Sequence, residues 1–460
     1  MIETDHIEAV RDEWGDFLPD YVGAVRDALG REDAKSVRTK VKDLHAADLA
    51  DLIEFLNQSD RVRLIGALGK SFDVEALAEL DAGVREELIE ALEPDVIASA
   101  IRKLDTDDAV YLIEELDRED RAEILSKISK QDRATLARAL DYADGTAGRL
   151  MQTEFVAVAQ DWTVLQVLDH ARHGKGLPED FVEVYVVDEG NHLVGAVPLS
   201  RLLRANRDKK ISAIMDEDQT VFRVGDDEHD VAYKFEQYNL VSAAVTDDGG
   251  KLVGMLMVDD ILDVIQEAAS EDILHLGGVG AEDSVADNVW DTTRSRFLWL
   301  FINLLTAIAA SWVISWFDAT IEEMVALAIL MPIVASMGGN AGTQTMTVAV
   351  RALATHQLGP VNAFKVTMRE CAVGLLNGVL FAVLIGLFAW AWFGLSGLGL
   401  VIAAAMVINL LAAALAGILV PLALDHFEID PAIASGAFVT TVTDVVGFFA
   451  FLGLAAIWLV

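Results

Sequence analysis

Apolar positions along the chain change their period twice, and each change marks a different kind of structure. Between residues 40 and 140 they recur at i, i+3 and i+4 in short bursts, the spacing of amphipathic helices. Three bursts share a rhythm: LHAADLADLIEFL from Leu44, LDAGVREELIEAL from Leu80 and LDTDDAVYLIEEL from Leu104. Each opens on Leu and an N-capping Asp or small residue. The pattern predicts stacked helical hairpins forming a solenoid, with a plain helical bundle as the alternative. From about Met151 short alternating runs appear instead. FVAVAQDWTVLQVLDHA predicts a strand, a turn and a helix, and VEVYVVDEGNHLVGAVPLSRLL two strands and a helix. The arrangement returns in TVFRVGDDEHDVAYKFEQY and SAAVTDDGGKLVGMLMVDDILDVI, an internal α+β repeat of about 60 residues. It resembles a tandem pair of CBS domains.

The last third is almost continuously apolar. Five spans are expected at about 297–317, 325–350, 371–393, 398–424 and 432–459. Each is long enough for about 30 Å of hydrocarbon at about 1.5 Å per residue. Before them, residues 270–294 read as helix, a kink at Gly277, Gly278 and Gly280, then a second helical stretch. The fold class is therefore a multi-domain membrane protein. Its expected parts are a helical solenoid over 1–145, CBS domains over 146–208 and 209–268, a connecting helix over 269–294 and an all-α five-span domain over 295–460.

Charge sharpens this division. The 460 residues carry 35 bases and 73 acids, a net −38. Residues 1–296 hold 65 acids and 32 bases, whereas 297–460 hold 8 and 3. So acidic a chain offers nothing to offset phosphate repulsion, which argues against a nucleic-acid partner. The acidity also fits a high-salt cytoplasm. A single cysteine, Cys371, excludes a disulfide framework and a Cys-based zinc site within one chain. Residues 1–30 show no apolar signal-peptide core. Arg294 and Arg296 precede the first span, and Arg351, Lys365 and Arg369 separate the second from the third. The positive-inside rule then predicts a multi-pass protein of the cell membrane, with a cytoplasmic N-terminus and an external C-terminus. The loop Asp425–Pro431 faces inward on this scheme, yet it is acidic.

Asp444 carries the strongest chemical signal, because its span contains no counter-charge. A carboxylate at membrane depth costs about 2.5–3.5 kcal/mol even on lenient insertion scales, so it must meet a cation or a polar cavity. Thr440 and Thr441 lie one turn before it and Gly447 one turn after. The blander reading is a protonated structural Asp at a helix interface. In the second span, Pro332 and Gly338–Gly339 weaken the helix and predict unwound backbone lining a cavity. Ser336, Asn340, Thr343, Gln344 and Thr347 make a neutral polar stripe. Close helix packing explains the glycines but not Asn and Gln on the same face. One carboxylate beside neutral oxygens suits hydrated Mg²⁺. No Cys, His or Met cluster adjoins Asp444, which disfavours copper or zinc in the path. Two copies related by a two-fold axis would bring two Asp444 carboxylates to one divalent ion.

PIVASMGGNAGTQT and DPAIASGAFVTTVTDVVG resemble the membrane signature of the MgtE family of magnesium channels and transporters, and DYADGTAGRLMQTEFVAV resembles its junction between N domain and CBS pair. The resemblance implies Mg²⁺ as cargo and a homodimer in lipid, with a pore at the two-fold axis lined by the second and fifth spans. Asp444 would be the selectivity carboxylate. Asn340 and the backbone around Ser336, Gly338, Gly339 and Thr440 would complete the cradle. It also implies closure by cytosolic Mg²⁺ bridging acids between N domain, CBS pair and connecting helix. Asp259, Asp260, Asp263, Glu271, Asp272 and Asp430 match such positions, with Asp107 and Asp108 as N-domain candidates. The chain departs from nucleotide-binding CBS modules, whose second strand commonly ends in Ser/Thr-x-x-Asp. Here the two repeats read PLSR (198–201) and MVDD (257–260), which argues against nucleotide at the CBS pair. A membrane-anchored metal sensor without transport is the alternative, and no catalytic motif points to an enzyme.

Overall fold

The computed structural model describes residues 10–459 except 14, 16, 115, 117, 175, 179, 281–288 and 428. These fall into two compact units that divide between Gln266 and Glu267.

In the first unit short helices follow one another from Pro19–Gly30 to Lys130–Leu140. The three bursts read from the sequence become helices Ala46–Glu54, Ala82–Ala91 and Thr106–Glu114. Each is too short to be stable alone, so packing must hold it. Their apolar faces share one continuous core that includes Leu52, Ile53, Leu64, Leu88, Ile97 and Leu112. Polar side chains close exposed helix starts: Asp33 accepts from Ser36 N, Asn57 from Asp60 N and Ser129 from Asp132 N. This is the expected helical N domain.

The internal repeat forms two sheets of identical topology. Strand β1 (Ala157–Ala159) pairs parallel with β2 (Glu183–Val187), which pairs antiparallel with β3 (Leu193–Pro198). Strands β4 (Val221–Arg223), β5 (Ser242–Thr246) and β6 (Leu252–Met257) repeat the order and even the bulge. The polar turns match as well. Asp188 Oδ1 accepts from Gly190 N and His192 N, and Asp247 Oδ1 from Gly249 N and Lys251 N. The repeats meet along Tyr185, Ala196, Ala244, Leu252 and Met255, as a CBS pair does.

Helix Val258–Leu276 runs on directly from β6. After it the backbone turns at Gly278, whose φ of 72° favours glycine. The second helical stretch expected before Arg294 lies partly on 281–288, outside the described residues. From Val289 the chain is helical again and continues through Ser315, so Arg294 and Arg296 sit on the first membrane helix itself.

Among the described residues of the second unit, five helices are long and apolar enough to cross a membrane: Thr292–Ser315, Ala326–Ala354, Ala363–Phe393, Ser396–His426 and Gly436–Trp458. The fourth is the most deeply buried. The third begins earlier than its hydropathy suggests, because Lys365 and Arg369 lie on its first turns rather than in a loop. Long basic side chains near a helix end reach the interface, which tolerates them there. The second helix corrects another expectation. It is unbroken from Ala326 to Ala354 with Pro332 inside it, so no unwound segment lines a cavity. Its glycines serve close approach instead. A Cβ on Gly342 would lie 2.5 Å from Val439 Cγ1, and one on Gly417 of the fourth helix 2.8 Å from Gly342 O. Tertiary packing has overridden the low helix propensity of Pro and Gly.

Candidate ion path and cation sites

The membrane site grows from the second and fifth helices, which pack together. Asp444 is half-buried on the fifth, and Thr440, one turn earlier, is exposed. On the second, Ser336, Asn340, Thr343, Gln344 and Thr347 are all exposed, so the polar stripe is one uncovered face. Asn340 Nδ2 reaches Ser336 Oγ at 3.4 Å. The Thr440 carbonyl already accepts from Thr443 Oγ1 at 3.0 Å. Among the described residues Asp444 has no ion-pair or hydrogen-bond partner. Gly338 is buried and faces the fourth helix rather than the stripe, whereas Gly339 has no neighbour within 4 Å of where a Cβ would stand. The arrangement offers one carboxylate, hydroxyls and an amide to a hydrated cation.

A second concentration of charge forms where the N domain meets the CBS pair, inside the first unit. Two helices start there with acids in their first turns, Asp107 and Asp108 on one, Asp259 and Asp260 on the other. Both starts favour anions through their unpaired N–H groups. Around the first, Thr106 Oγ1 donates to Glu154 at 2.8 Å, and Arg149 bridges to Glu114 at 2.6 Å. Gln152 Nε2 donates to Asp260 Oδ2 at 3.2 Å. The Asp107 and Asp260 carboxyls meet directly. Burial, and then the neighbouring Asp260 charge, pushes Asp107 well above the usual carboxylate value. Burial also lifts Asp260 and Asp108 to about 7 each. Asp105 and Asp263 shift up too, from burial and then neighbouring acids. Carboxylates so arranged need either protons or a cation between them.

A third group lies in the second unit. Glu271, His275 and Asp430 each place a ligand atom within 4.8 Å of the others. His275 Nδ1 is 3.1 Å from Asp430 Oδ2 and Nε2 is 3.7 Å from Glu271 Oε1. Asp430 also caps the fifth helix, accepting from Ala432 N at 2.8 Å. Asp272 is next to Glu271 on the same helix.

Comparison with known proteins places this architecture. The MgtE divalent cation transporter domain matches residues 331–454, the MgtE intracellular N domain 44–145, and CBS domains 147–208 and 211–267. The magnesium transporter MgtE of Enterococcus faecalis is 34% identical over 320 residues, 70% of either chain. The chain belongs to the MgtE family. The MgtE transporter of Thermus thermophilus is 34% identical over 321 residues, 69% of this chain and 71% of that one. Among solved structures, the cytosolic domain of the Mg²⁺ channel MgtE in complex with ATP covers 53% of this chain and 99% of its own, at 28% identity and a TM-score of 0.49. The soluble part of a magnesium transporter covers 54% and 98%, at 29% identity and a TM-score of 0.48. The family is one of multi-pass membrane transporters, not an enzyme class.

Within that family frame, three features of this chain escape a sequence reading. Asp105 and Glu154 join the acidic interface; Asp105 could have been suspected from LDTDD, but Glu154 had no signal. His275 sits in an ordinary-looking helix. Asn409 lies in a run of Leu and Ala, fully buried on the fourth helix. Its Nδ2 donates to Val334 O at 2.8 Å, and its side chain fills the space above Gly338 of the second helix and Gly447 of the fifth. Asn409 thus fixes the spacing of the two helices that carry Asn340 and Asp444. Asn409→Leu should lose this bond and overpack both glycines, costing about 1–3 kcal/mol. The readout is detergent-solubilised thermal unfolding, where a melting temperature equal to wild type would contradict the role.

Proposed function

We propose that the chain is a homodimeric Mg²⁺-selective channel or transporter of the cell membrane that carries Mg²⁺ inward. Cytosolic Mg²⁺ closes it by binding at the acidic N-domain, CBS and connecting-helix sites. One observation carries the transport reading. A half-buried carboxylate without an ion-pair or hydrogen-bond partner among the described residues and a stripe of five exposed polar side chains lie on adjacent membrane helices. Lipid cannot solvate such a face, whereas a second copy enclosing a water-filled path can. Two Asp444 carboxylates would then balance one divalent charge. Asn340, Ser336 and Thr440 supply the neutral oxygens to water-mediated contacts, the form in which Mg²⁺ is usually held. The names of the relatives support Mg²⁺ as cargo.

Closure follows from the acids. Without cations, Asp107, Asp108, Asp259, Asp260 and Asp263 repel; Mg²⁺ bridging them favours the compact arrangement. Helix Val258–Leu276 carries Asp259, Asp260 and Asp263 at its start and Glu271 and Asp272 at its end. The basic residues near the membrane-helix ends, Arg294, Arg296, Arg351, Lys365 and Arg369, support a cytoplasmic N-terminus and an external C-terminus by the positive-inside rule. Nucleotide is not assigned to the CBS pair, where Asp260 is already engaged by Gln152 and Asp107.

Purified protein in liposomes with a trapped Mg²⁺ dye tests the proposal. Expected is Mg²⁺ entry down its gradient, from protein that light scattering shows to be dimeric. Absence of flux in every ionic condition from folded dimer would favour a membrane-anchored sensor. Flux from a monomer would overturn the shared axis.

A further inference from the structure

We propose that Glu271 and His275, oriented by Asp430, form a site for a first-row transition-metal dication such as Zn²⁺, Co²⁺ or Ni²⁺. The family resemblance points only to carboxylates here, and to Mg²⁺. The imidazole changes the chemistry. Glu271 and His275 are i and i+4 on one helix, so they project from one face. The ring is only 8% exposed, and it lies between two carboxylates, one facing each nitrogen. A neutral imidazole has one N–H and one lone pair. With Nδ1–H donating to Asp430 at 3.1 Å, the Nε2 lone pair points toward the Glu271 oxygen, an arrangement that a cation between them would make favourable.

Asp430 is well placed to fix the ring. Its Oδ1 is occupied by Ala432 N, which leaves Oδ2 for His275. A carboxylate that holds the far nitrogen of a metal-binding histidine sets its tautomer and raises its basicity. Mg²⁺ prefers oxygen donors, whereas imidazole suits Zn²⁺, Co²⁺ and Ni²⁺. Among the described residues, this is the one group whose three candidate ligand atoms lie so close together. The Nε2 to Oε1 separation of 3.7 Å needs only a small closure for both to bind one ion with bonds of about 2.0–2.2 Å. The site shares Glu271 and Asp430 with the regulatory reading above. It rests on that reading for what the bound ion does to the gate, not for its binding.

Co²⁺ is the probe, because its visible d–d bands report nitrogen and coordination number. It is titrated into the full chain in detergent with excess Mg²⁺ present to fill the all-oxygen sites. Wild type should bind with bands shifted from those of aqueous Co²⁺ by nitrogen ligation, and His275→Gln should lose the shift. Asp430→Asn should weaken binding about 10–100-fold. Glu271→Gln changes a partly exposed residue and so guards against misfolding; it should weaken binding as well. Weak, octahedral all-oxygen bands in wild type would overturn the site. So would a titration in folded His275→Gln or Glu271→Gln that matches wild type. Mg²⁺ flux in liposomes is scored separately: flux without the Co²⁺ band shift sinks this site alone, and the shift without flux sinks the transport reading alone.

Discussion

Asp444→Ala should reduce Mg²⁺ flux at least about tenfold while leaving the protein inserted and folded. The two consequences separate because the carboxylate is unfavourable to the apolar span and needed only by the ion. Removing it eases insertion, by about 2.5–3.5 kcal/mol on lenient scales. It also removes the only formal charge on the second and fifth helices at the level of the polar stripe. In the proposed dimer the loss is doubled, since both carboxylates face one ion. Asp444→Asn keeps the shape and an oxygen, so it distinguishes charge from packing: flux should fall nearly as far. Dye-loaded liposomes give the rate, and a melting curve confirms folding. Flux from Asp444→Ala equal to wild type would remove Asp444 from the path.

The acidic interface should make stability depend on pH and Mg²⁺ together. Asp108 and Asp260 titrate at about 7 in the fold, and Asp107 is displaced in the same direction, all above the ordinary value of 3.8. A carboxyl whose folded value is raised binds its proton more tightly folded than unfolded. Its contribution is therefore complete at pH below about 4 and is lost as pH rises through about 7. In chelator, the first unit should lose stability over that window. Mg²⁺ requires the deprotonated groups and releases their protons, so its stabilising effect should grow over the same window. Protease resistance and thermal unfolding of the full chain, with chelator and with millimolar Mg²⁺, measure both arms. Asp107→Asn with Asp260→Asn should flatten them and leave a channel that stays open at high internal Mg²⁺. The Mg²⁺ effect should persist in molar KCl, where screening acts within about 3 Å, because coordination survives what diffuse repulsion does not. A protease difference that vanishes in molar KCl, or a double variant that keeps the full pH dependence, would contradict specific ion bridging.

The division of the chain was legible from its pattern alone. Period 3.6 gave the N-domain helices, the recurring YVVDEGNHLVGAV and AAVTDDGGKLVGML gave two sheets of one topology, and uninterrupted apolar runs gave five membrane helices. These signals are local: each depends on residues within one or two turns, or on a repeat of like with like. Asp444 stands out as a candidate for the same reason, since a lone charge in an apolar span is visible without a partner. Where a prediction weighed local propensity alone it failed. Pro332 and the glycines after it weaken an isolated helix, yet the second span stays intact because those glycines let neighbouring helices pack against it. The fold also decided which distant groups meet. Asp107 reaches Asp260, His275 reaches Asp430 across 155 positions, and Asn409 holds two helices at once. None of these pairings has a period or a spacing. Each follows from helix starts and faces brought together by burying apolar surface elsewhere, so sequence determined the elements and their charges, and packing between remote segments determined the sites.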